Sequence, residues 1–281
     1  MCWASISERA SERAVMRVKG ILRTALFPCL MLVGTFSAAQ RAEPSPPQQH
    51  APAAEPSKAQ QLFELANEAR AAAGAGLLTW DPALADSALK HCLRMAVEGL
   101  IAHRYDGEPD LTTRAGGAGA HFSYVEENIA VGSNLETIHQ GWLDSPEHRA
   151  NLLNPSVDRV GIGVVRIGEL IFAVADYARA VPVLTQTEVE AVFAKLLRAR
   201  QVIVLQDTND ARNYCASSGR YSGGDPPSFL FRWQNPDVTR LPEPLLEQLA
   251  IGRYHKAAIG SCPAQDVKGA FTIYRVAVLL Y

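Results

Sequence analysis

The stretch that decides the fold reads EENIAVG over residues 126–132, followed after a helical segment by SPEHRANLL over residues 145–153. These two segments contain the chain's densest mixture of carboxylate, amide, histidine and aromatic residues, and glycine and proline frame them. Functional side chains are often displayed on loops and helix starts that a rigid scaffold positions. We therefore interpret the chain from Ser57 to Arg179 as a scaffold that places this stretch against His103.

The overall composition is that of an ordinary globular protein. The chain has 281 residues, of which 48% are hydrophobic and 20% are charged, and its formal net charge is −2. This length can hold one sizeable domain, or one domain and a smaller unit, with enough chain to bury a core. The absence of a basic excess argues against a nucleic-acid partner.

Residues 1–39 have the pattern of a signal peptide. Basic residues between positions 17 and 23 precede an apolar run from Ala25 to Phe36, and small residues then fit cleavage before Gln40. The apolar run is too short to cross a bilayer comfortably, so an uncleaved anchor is the weaker alternative. We therefore predict a secreted protein with no stable membrane span after cleavage.

The remainder divides into three segments by composition and periodicity. Residues 40–57 are rich in proline, alanine and glutamine, which predicts a semi-extended, disordered linker. Residues 58–180 alternate helical and strand patterns and form the predicted main domain. Residues 181–281 are a predicted C-terminal α+β extension of unknown role, which either covers the main sheet or packs alone.

The main domain is predicted to be an α+β fold in three layers, with an antiparallel sheet between helices. Asp81 and Pro82 mark a helix start, and Gly99 marks the end of that helix. Strand patterns near Gly168 indicate a hairpin. The predicted elements are helices at 58–73, 82–99, 135–143 and 146–153, a glycine-alanine loop at 115–120, and strands at 121–125, 160–167 and 170–177.

His103, Glu127 and His148 are the candidate functional residues. Two histidines and a carboxylate can bind a divalent cation such as zinc with one position open for water, and Glu127 could then serve as a general base. The alternative is structural: the histidines bond backbone carbonyls and Glu127 accepts from nearby amides. Spacing alone favours the structural alternative.

Ser145 is predicted to be a helix cap and not a nucleophile. It stands directly before Pro146, and capping is the commonest role of a serine there. No nucleophile-elbow pattern surrounds it, and the chain has no His-Glu-x-x-His, phosphate-binding glycine loop or Cys-x-x-Cys motif. His91 and Cys92 cannot act as a dyad, because adjacent helical residues point about 100° apart.

Cysteine usage fits export. After the predicted cleavage Cys92, Cys215 and Cys262 remain, in a compartment where disulfides persist. We predict a bridge between Cys215 and Cys262 within the extension. Cys92 lies among apolar positions of a helix and is predicted to be a small buried residue.

Taken together, the chain resembles the bacterial branch of the CAP superfamily, also called the SCP domain, of cysteine-rich secretory, antigen 5 and pathogenesis-related proteins. The resemblance covers about residues 60 to 179. The segments that carry it, in order, are NEAR at 67–70, LTWDPAL at 78–84, His103 with YDG at 105–107, ENIA at 127–130 with Gly132, Trp142, SPEHRANLL at 145–153 and VGIG at 160–163.

The resemblance implies an α-β-α sandwich with a surface cavity lined by histidines and acids. His103 and His148 match cavity histidines, and Glu127 matches the acid of the Glu-Asn motif. Asn128 and Ser145 are the further predicted cavity residues. A histidine that animal and plant members carry is replaced here by the segment 160–162, so the resemblance implies an incomplete metal site.

From these observations we expect a non-catalytic binding protein whose cavity takes a cell-envelope, lipid or other extracellular ligand. The alternative is a metal-dependent, peptidase-like hydrolase that uses His103, Glu127 and His148, with zinc or another divalent cation as cofactor. A third possibility is that the C-terminal extension makes the partner contacts.

Overall fold

The computed structural model describes residues 51–265 and 270–281. The predicted signal peptide and the first part of the predicted linker, residues 40–50, lie outside the described residues. In the part of the chain that is described, no helix is both long and apolar enough to cross a bilayer.

The first unit of the fold contains five helices and five strands. Its elements are β1 (Ala53–Ala54), α1 (Pro56–Ala72), β2 (Thr79–Trp80), α2 (Pro82–Glu98), α3 (Leu111–Gly117), β3 (Phe122–Gly132), α4 (Leu135–Asp144), α5 (Pro146–Leu152), β4 (Arg159–Ile167) and β5 (Leu170–Ala180).

These elements form the predicted three-layer α-β-α arrangement. Strands β1, β4, β5 and β3 lie side by side in that order, all antiparallel, while β2 pairs with the start of β4 in parallel. Side chains of α2 pack on one face of the sheet, and side chains of α1, α4 and α5 pack on the other. Each face of the sheet is thereby covered, as an apolar sheet requires.

Two glycines of β4 set the distance between α2 and the sheet. A Cβ atom at Gly161 would lie 1.9 Å from the backbone nitrogen of Ala85, and one at Gly163 would lie 2.5 Å from the backbone of Leu89. The helix backbone therefore rests directly on the strand, an approach that only glycine permits.

Most predicted boundaries of the first unit are confirmed within a few residues. The predicted cap of α2 is made, because the Asp81 carboxylate accepts from the amides of Ala83 and Leu84. The helix ends at Gly99, whose left-handed conformation closes the last turn.

Three expectations differ from the structure. The first half of the predicted glycine-alanine loop belongs to the short helix α3, which begins because the Asp110 side chain accepts from the amide of Thr113. Strand β3 continues for 11 residues, since its pairing with β5 extends through the Glu-Asn segment. The end of the predicted linker is also ordered: Ala53 and Ala54 pair with β4, and Glu55 accepts from Arg166 at 3.1 Å.

In the described part of the chain, the elements between Gln186 and Leu280 form a second unit with its own sheet and core. Strands β6, β8, β9 and β7 are adjacent in that order, and Phe193, Leu197 and Leu245 pack on them. This unit combines helices and strands, as predicted for the C-terminal α+β extension. The elements are α6 (Gln186–Arg198), β6 (Ile203–Val204), α7 (Asn209–Ala216), β7 (Phe229–Asn235), α8 (Glu243–Ala250), β8 (Lys256–Cys262) and β9 (Tyr274–Leu280).

The predicted disulfide is confirmed. Cys215 of α7 and Cys262 of β8 are bonded, with their Cα atoms 5.8 Å apart, within the usual range for a disulfide. Cys92 is buried on α2, as predicted, and it is a free cysteine. Burial raises the pKa of its thiol, so Cys92 is an inert packing residue.

Candidate functional site

Glu127 is the centre of a buried ionic cluster. It lies in the middle of β3, an edge strand of the first sheet, and is 6% exposed. Its carboxylate Oε1 accepts from Nδ1 of His103 at 2.8 Å, and its Oε2 accepts from Nη2 of Arg114 at 2.5 Å. Both oxygens of the carboxylate are thus engaged by side chains that follow α2 or lie on α3.

These contacts determine the charge of Glu127. Burial alone would raise the pKa of its carboxyl group, but the hydrogen bond from His103 and the charges of Arg114 and His91 outweigh burial and lower the pKa. Glu127 is therefore an anion at neutral pH, held in place by cationic and N–H donors. The side chain of His103 is 57% exposed, so its second ring nitrogen faces solvent.

A second pair anchors the segment that carries His103. His91 of α2 is fully buried; its Nδ1 lies 2.7 Å from Oε1 of Glu108, and its Nε2 lies 2.9 Å from the carbonyl oxygen of Ala102. A carbonyl oxygen only accepts, so both bonds together require a proton on each ring nitrogen unless Glu108 carries one. His91 thus bonds the exit loop of α2 to the helix, and it fixes the position of the backbone next to His103.

Asp176 completes the cluster from the neighbouring strand. It is opposite Glu127 in the register of β3 and β5 and is fully buried. Its Oδ2 accepts from the Ser87 hydroxyl at 2.8 Å, whereas its Oδ1 has no hydrogen-bond partner. Burial and the negative charge of Glu127 raise the pKa of Asp176 well above its usual value.

His148 approaches His103 from the opposite side of the edge strand. It lies on α5, where Asn128 donates to its backbone carbonyl at 2.9 Å. Asn151 of the same helix donates to the carbonyl of Glu127 at 3.2 Å. Burial and the nearby charge of His103 lower the pKa of His148, so its imidazole is neutral at pH 7.

Arg70 of α1 fixes the far end of α5. The Arg70 side chain is fully buried and donates to four backbone carbonyls, those of Gly76, Leu152, Asn154 and Val157. A planar guanidinium can satisfy several carbonyls of one turn at once. The position of His148 is therefore determined by backbone contacts at both ends of its helix.

Asn128 and Ser145 are the two further residues predicted to line a cavity. Asn128 is fully buried, and its side chain bonds His148 and Asn151, so it positions α5. Ser145 occupies the N-cap position of α5, but its side chain makes no capping hydrogen bond. Proline at the first helical position already removes one of the amides that a cap would satisfy.

An open groove lies beside this site, on the other face of β3. It has a volume of about 670 Å³ and combines charged, amide and apolar side chains. Glu126 stands at its base, accepting from Tyr124 at 2.7 Å and from Asn154 at 3.0 Å. The lining residues are Tyr124, Glu126, Pro146, Arg149, Ala150, Asn151, Leu153, Asn154 and Pro155.

The side chains as arranged do not fit a metal ion. Within residues 51–265 and 270–281, no three histidine, cysteine or acidic side chains converge as metal ligands would. A metal ion at Oε2 of Glu127 would have to displace Arg114, whose side chain is 7% exposed, and would leave that buried charge without a partner. The metal site expected at His103, Glu127 and His148 remains a prediction without geometric support.

Four members of the cluster were missed as functional candidates from sequence: His91, Glu108, Arg114 and Asp176. The strongest overlooked signal is Asp176, a carboxylate within the apolar strand pattern LIFAVADY at 170–177. An acid is rarely buried unless it is paired, so its presence in such a run indicates a buried polar site. The other three have no comparable signal, because only the tertiary structure brings His91 of α2 and Arg114 of α3 to Glu108 and Glu127.

Comparison with known proteins agrees with this description of the first unit. Residues 63–177 match the family model described as CAP, the cysteine-rich secretory protein family. A curated relative from Bacillus subtilis (strain 168), named uncharacterized membrane protein YlbC, is 31% identical over 107 residues. That match covers 38% of this chain and 31% of the relative, so the chain spans about a third of that protein's length.

Two solved structures are also similar to part of the chain. An extracellular SCP-domain protein from Bacillus anthracis (strain Ames) is 32% identical, with a TM-score of 0.42, over 44% of this chain and 41% of the other. An outer surface protein from Borrelia burgdorferi is 21% identical, with a TM-score of 0.42, over 44% of this chain and 93% of the other.

Proposed function

The chain belongs to the CAP superfamily through residues 63–177, and on that premise we propose that it is an exported binding protein without catalytic activity. Its ligand is a cell-envelope or extracellular molecule that binds around α5. Two sequence features support export: the signal-peptide pattern of residues 1–39 and the Cys215–Cys262 disulfide, which persists in an oxidising compartment.

The observation that carries the binding function is the engagement of Glu127. A general base must offer a free carboxylate oxygen to the proton it removes. Both oxygens of Glu127 are instead occupied, one by His103 and one by Arg114. The cluster therefore acts as a rigid support that presents the exposed imidazole of His103 beside His148.

The groove on the other side of α5 supplies the contact surface. Arg149 offers donors, Glu126 offers an acceptor, and Leu153 and Pro155 offer apolar contacts. Binding sites typically combine apolar walls with a few placed polar groups. This mixture suits a ligand with hydroxyl or amide groups on a partly apolar body, such as a glycan or lipid headgroup of the cell envelope.

The proposal can be tested with the purified full chain and two probes: isolated peptidoglycan and vesicles of a bacterial total lipid extract. We expect retention on one of them, weakened at least about tenfold by Arg149→Ala, a loss of about 1.4 kcal/mol. Arg200→Ala, which removes an exposed arginine of the second unit, is the matched control and should bind as the unaltered chain does.

The chemical fate of the bound material decides between binding and catalysis. Mass spectrometry of the probe recovered after binding should show it unchanged. Turnover of the probe that is abolished by His148→Ala would overturn the proposal and establish an enzyme.

One observation favours hydrolysis as the second candidate. The Nδ1 atom of His103 is held by a buried carboxylate while its other nitrogen faces solvent, which is how a general base is commonly oriented. Hydrolysis of casein or a nitrophenyl ester, lost in His103→Ala, would support this candidate. Inhibition by a chelator would additionally require the metal ion that was expected from sequence.

A further inference from the structure

A cluster of exposed apolar side chains lies at one end of the first unit. Large hydrophobic residues that are at least 40% exposed project there from the end of α2, its exit loop, the end of β3 and the β4–β5 turn. We call this cluster the apolar tip; its members are Val97 (70% exposed), Leu100 (40%), Ile101 (44%), Val131 (40%) and Leu170 (50%).

The topology places these four segments together. Helix α2 runs alongside β4 in the same direction, since Ala85 is next to Gly161 and Leu89 is next to Gly163. The C-terminal end of α2 therefore lies near the end of β4, where the turn to β5 begins. Strand β3 reaches the same end, because Val131 is opposite Phe172 in β5.

The tip is held in a defined conformation. The Tyr105 hydroxyl donates to the carbonyl of Leu100 at 2.6 Å, and the amide of Gly99 donates to the carbonyl of Met95 at 2.9 Å. These two hydrogen bonds hold the backbone of the exit loop in place, while its apolar side chains are exposed to solvent. Exposed apolar clusters on a soluble unit commonly mark an interaction or membrane surface.

Arginines flank the tip. Arg94 lies on the last turns of α2, where it pairs with Glu98 at 2.6 Å and its guanidinium carbon is 5.7 Å from the centre of the Tyr105 ring. Arg104 follows the exit loop and is exposed, with its Nε donating to the carbonyl of Glu108. Arginine beside apolar residues suits a surface of lipid headgroups, which attracts basic groups.

The chain enters the fold at this same end. Ala54 pairs with Val165 and Ala53 pairs with Arg166, so the residues before Ala53 lead towards the β4–β5 turn. The N-terminal entry of the described chain is therefore next to the apolar tip.

The second unit is attached at the opposite end of the sheet. Phe271 packs edge-on against Phe122 at the start of β3, with ring centroids 5.5 Å apart, and the Thr272 amide donates to the Phe122 carbonyl. Phe122 pairs with Ala180, the last residue of β5. The second unit is therefore joined away from the tip and leaves the tip uncovered.

We propose that the apolar tip docks on a lipid bilayer and orients the CAP domain with its N-terminal end towards the membrane. Val97, Leu100 and Ile101 enter the interface between headgroups and acyl chains, and Arg94 and Arg104 contact headgroup phosphates. His103 follows Ile101 by two residues, so docking would hold the candidate site close to the lipid surface. The proposal does not depend on a ligand in the groove.

A bilayer fits these observations better than a protein partner. The apolar side chains of the tip project from a helix end, a strand end, a loop and a turn. They do not line a groove that could receive a helix or strand. The flanking arginines beside exposed apolar residues are features of segments that bind membranes. Association with a second copy of the chain is therefore treated as an outcome of the test.

The experiment is hydrogen exchange of the full chain with and without vesicles of phosphatidylcholine and phosphatidylglycerol. We expect vesicles to slow amide exchange in residues 97–104 and 129–133. The Val97→Asp/Ile101→Asp variant should lose this protection and weaken partition into vesicles by about tenfold or more, because two apolar side chains no longer leave water.

The matched control is Leu77→Asp, which alters a residue that is 63% exposed near the opposite end of β4. This control should keep the vesicle-dependent protection of the tip. A chain that sediments with vesicles while its tip exchanges freely would overturn the proposal, since another segment would then be the anchor. Protection that appears without vesicles and rises with protein concentration would also overturn it, in favour of self-association.

Discussion

Glu127 and Asp176 are opposite each other on β3 and β5, both buried, and they differ in charge state because only Glu127 has cationic partners. Arg114 and His103 stabilise the Glu127 anion, and that anion in turn favours a protonated Asp176. Two adjacent buried carboxylates can be tolerated only when one of them is neutral or both are paired.

Replacing Glu127 should destabilise the first unit strongly. In Glu127→Gln the buried Arg114 loses its charged partner, and removing one member of a buried ion pair costs about 3 to 5 kcal/mol. Urea denaturation would measure the loss. Glu147→Gln, at an exposed position in the first turn of α5, is the control and should change stability by less than about 0.5 kcal/mol.

Replacing Asp176 should change how stability depends on pH. Its pKa is raised in the folded state, so it contributes stability that is complete below its ordinary pKa and is lost as the pH rises through the raised pKa. Asp176→Asn cannot ionise, so its stability relative to the unaltered chain should increase as the pH rises from about 4 to about 8.

Denaturation midpoints measured across that pH range would test the charge of Asp176. Asp144→Asn, on the exposed side of α4, should follow the unaltered chain throughout. Parallel curves for Asp176→Asn and the unaltered chain would show that Asp176 is not the group that titrates.

Replacing Gly161 should disrupt the contact between α2 and the sheet. The new Cβ atom of Gly161→Ala would lie 1.9 Å from the Ala85 backbone, so the helix would have to move. We expect a loss of about 3 kcal/mol or more in the free energy of unfolding, at the upper end for overpacked cores.

A second glycine-to-alanine change provides the control for Gly161. Gly141 lies on α4, and a Cβ atom there would meet nothing within 4 Å. Gly141→Ala should leave stability unchanged or raise it by up to about 1 kcal/mol, because alanine favours the helix. Equal effects at the two positions would show that packing of α2 on β4 is not the cause.

Removing the disulfide should destabilise the second unit selectively. Cys215 and Cys262 are separated by 47 residues, and opening a loop of that length costs about 4 kcal/mol in the chain-entropy description. In the Cys215→Ser/Cys262→Ser variant, amide exchange should accelerate in α7, β8 and β9. Exchange in α2 and β4 should remain slow, and acceleration there would indicate that the two units unfold together.

The sequence allowed good prediction of elements whose signals are local. Asp81 with Pro82 marked the start of α2, Gly168 marked the hairpin turn, and the disulfide followed from the cysteines left after export. Helix α3 was missed because its start depends on one side-chain cap at Asp110 in a stretch of poor helix formers. The paired Ala53–Ala54 segment was missed because its strand is formed by tertiary contact with β4.

In the candidate site, too, some residues were identified from local sequence signals and others only from tertiary contacts. His103, Glu127 and His148 were identified from sequence, and the structure brings His103 to Glu127 and places His148 near His103. The structure was needed to show that Asn128 is fully buried and bonds α5. The roles of Arg114 and Asp176 also required the structure, because they reach Glu127 from a different helix and a different strand.

By itself, the sequence determined the family, the three-layer fold and most of its helices and strands, because caps, turns and apolar periodicity are encoded over a few residues. Only the tertiary structure decided which charges are paired, that the carboxylate of Glu127 is fully engaged, and that four segments with five exposed apolar residues lie at one end of the first unit. The physical reason is distance along the chain. Pairing, desolvation and shared surfaces arise between residues that only the folded sheet brings together.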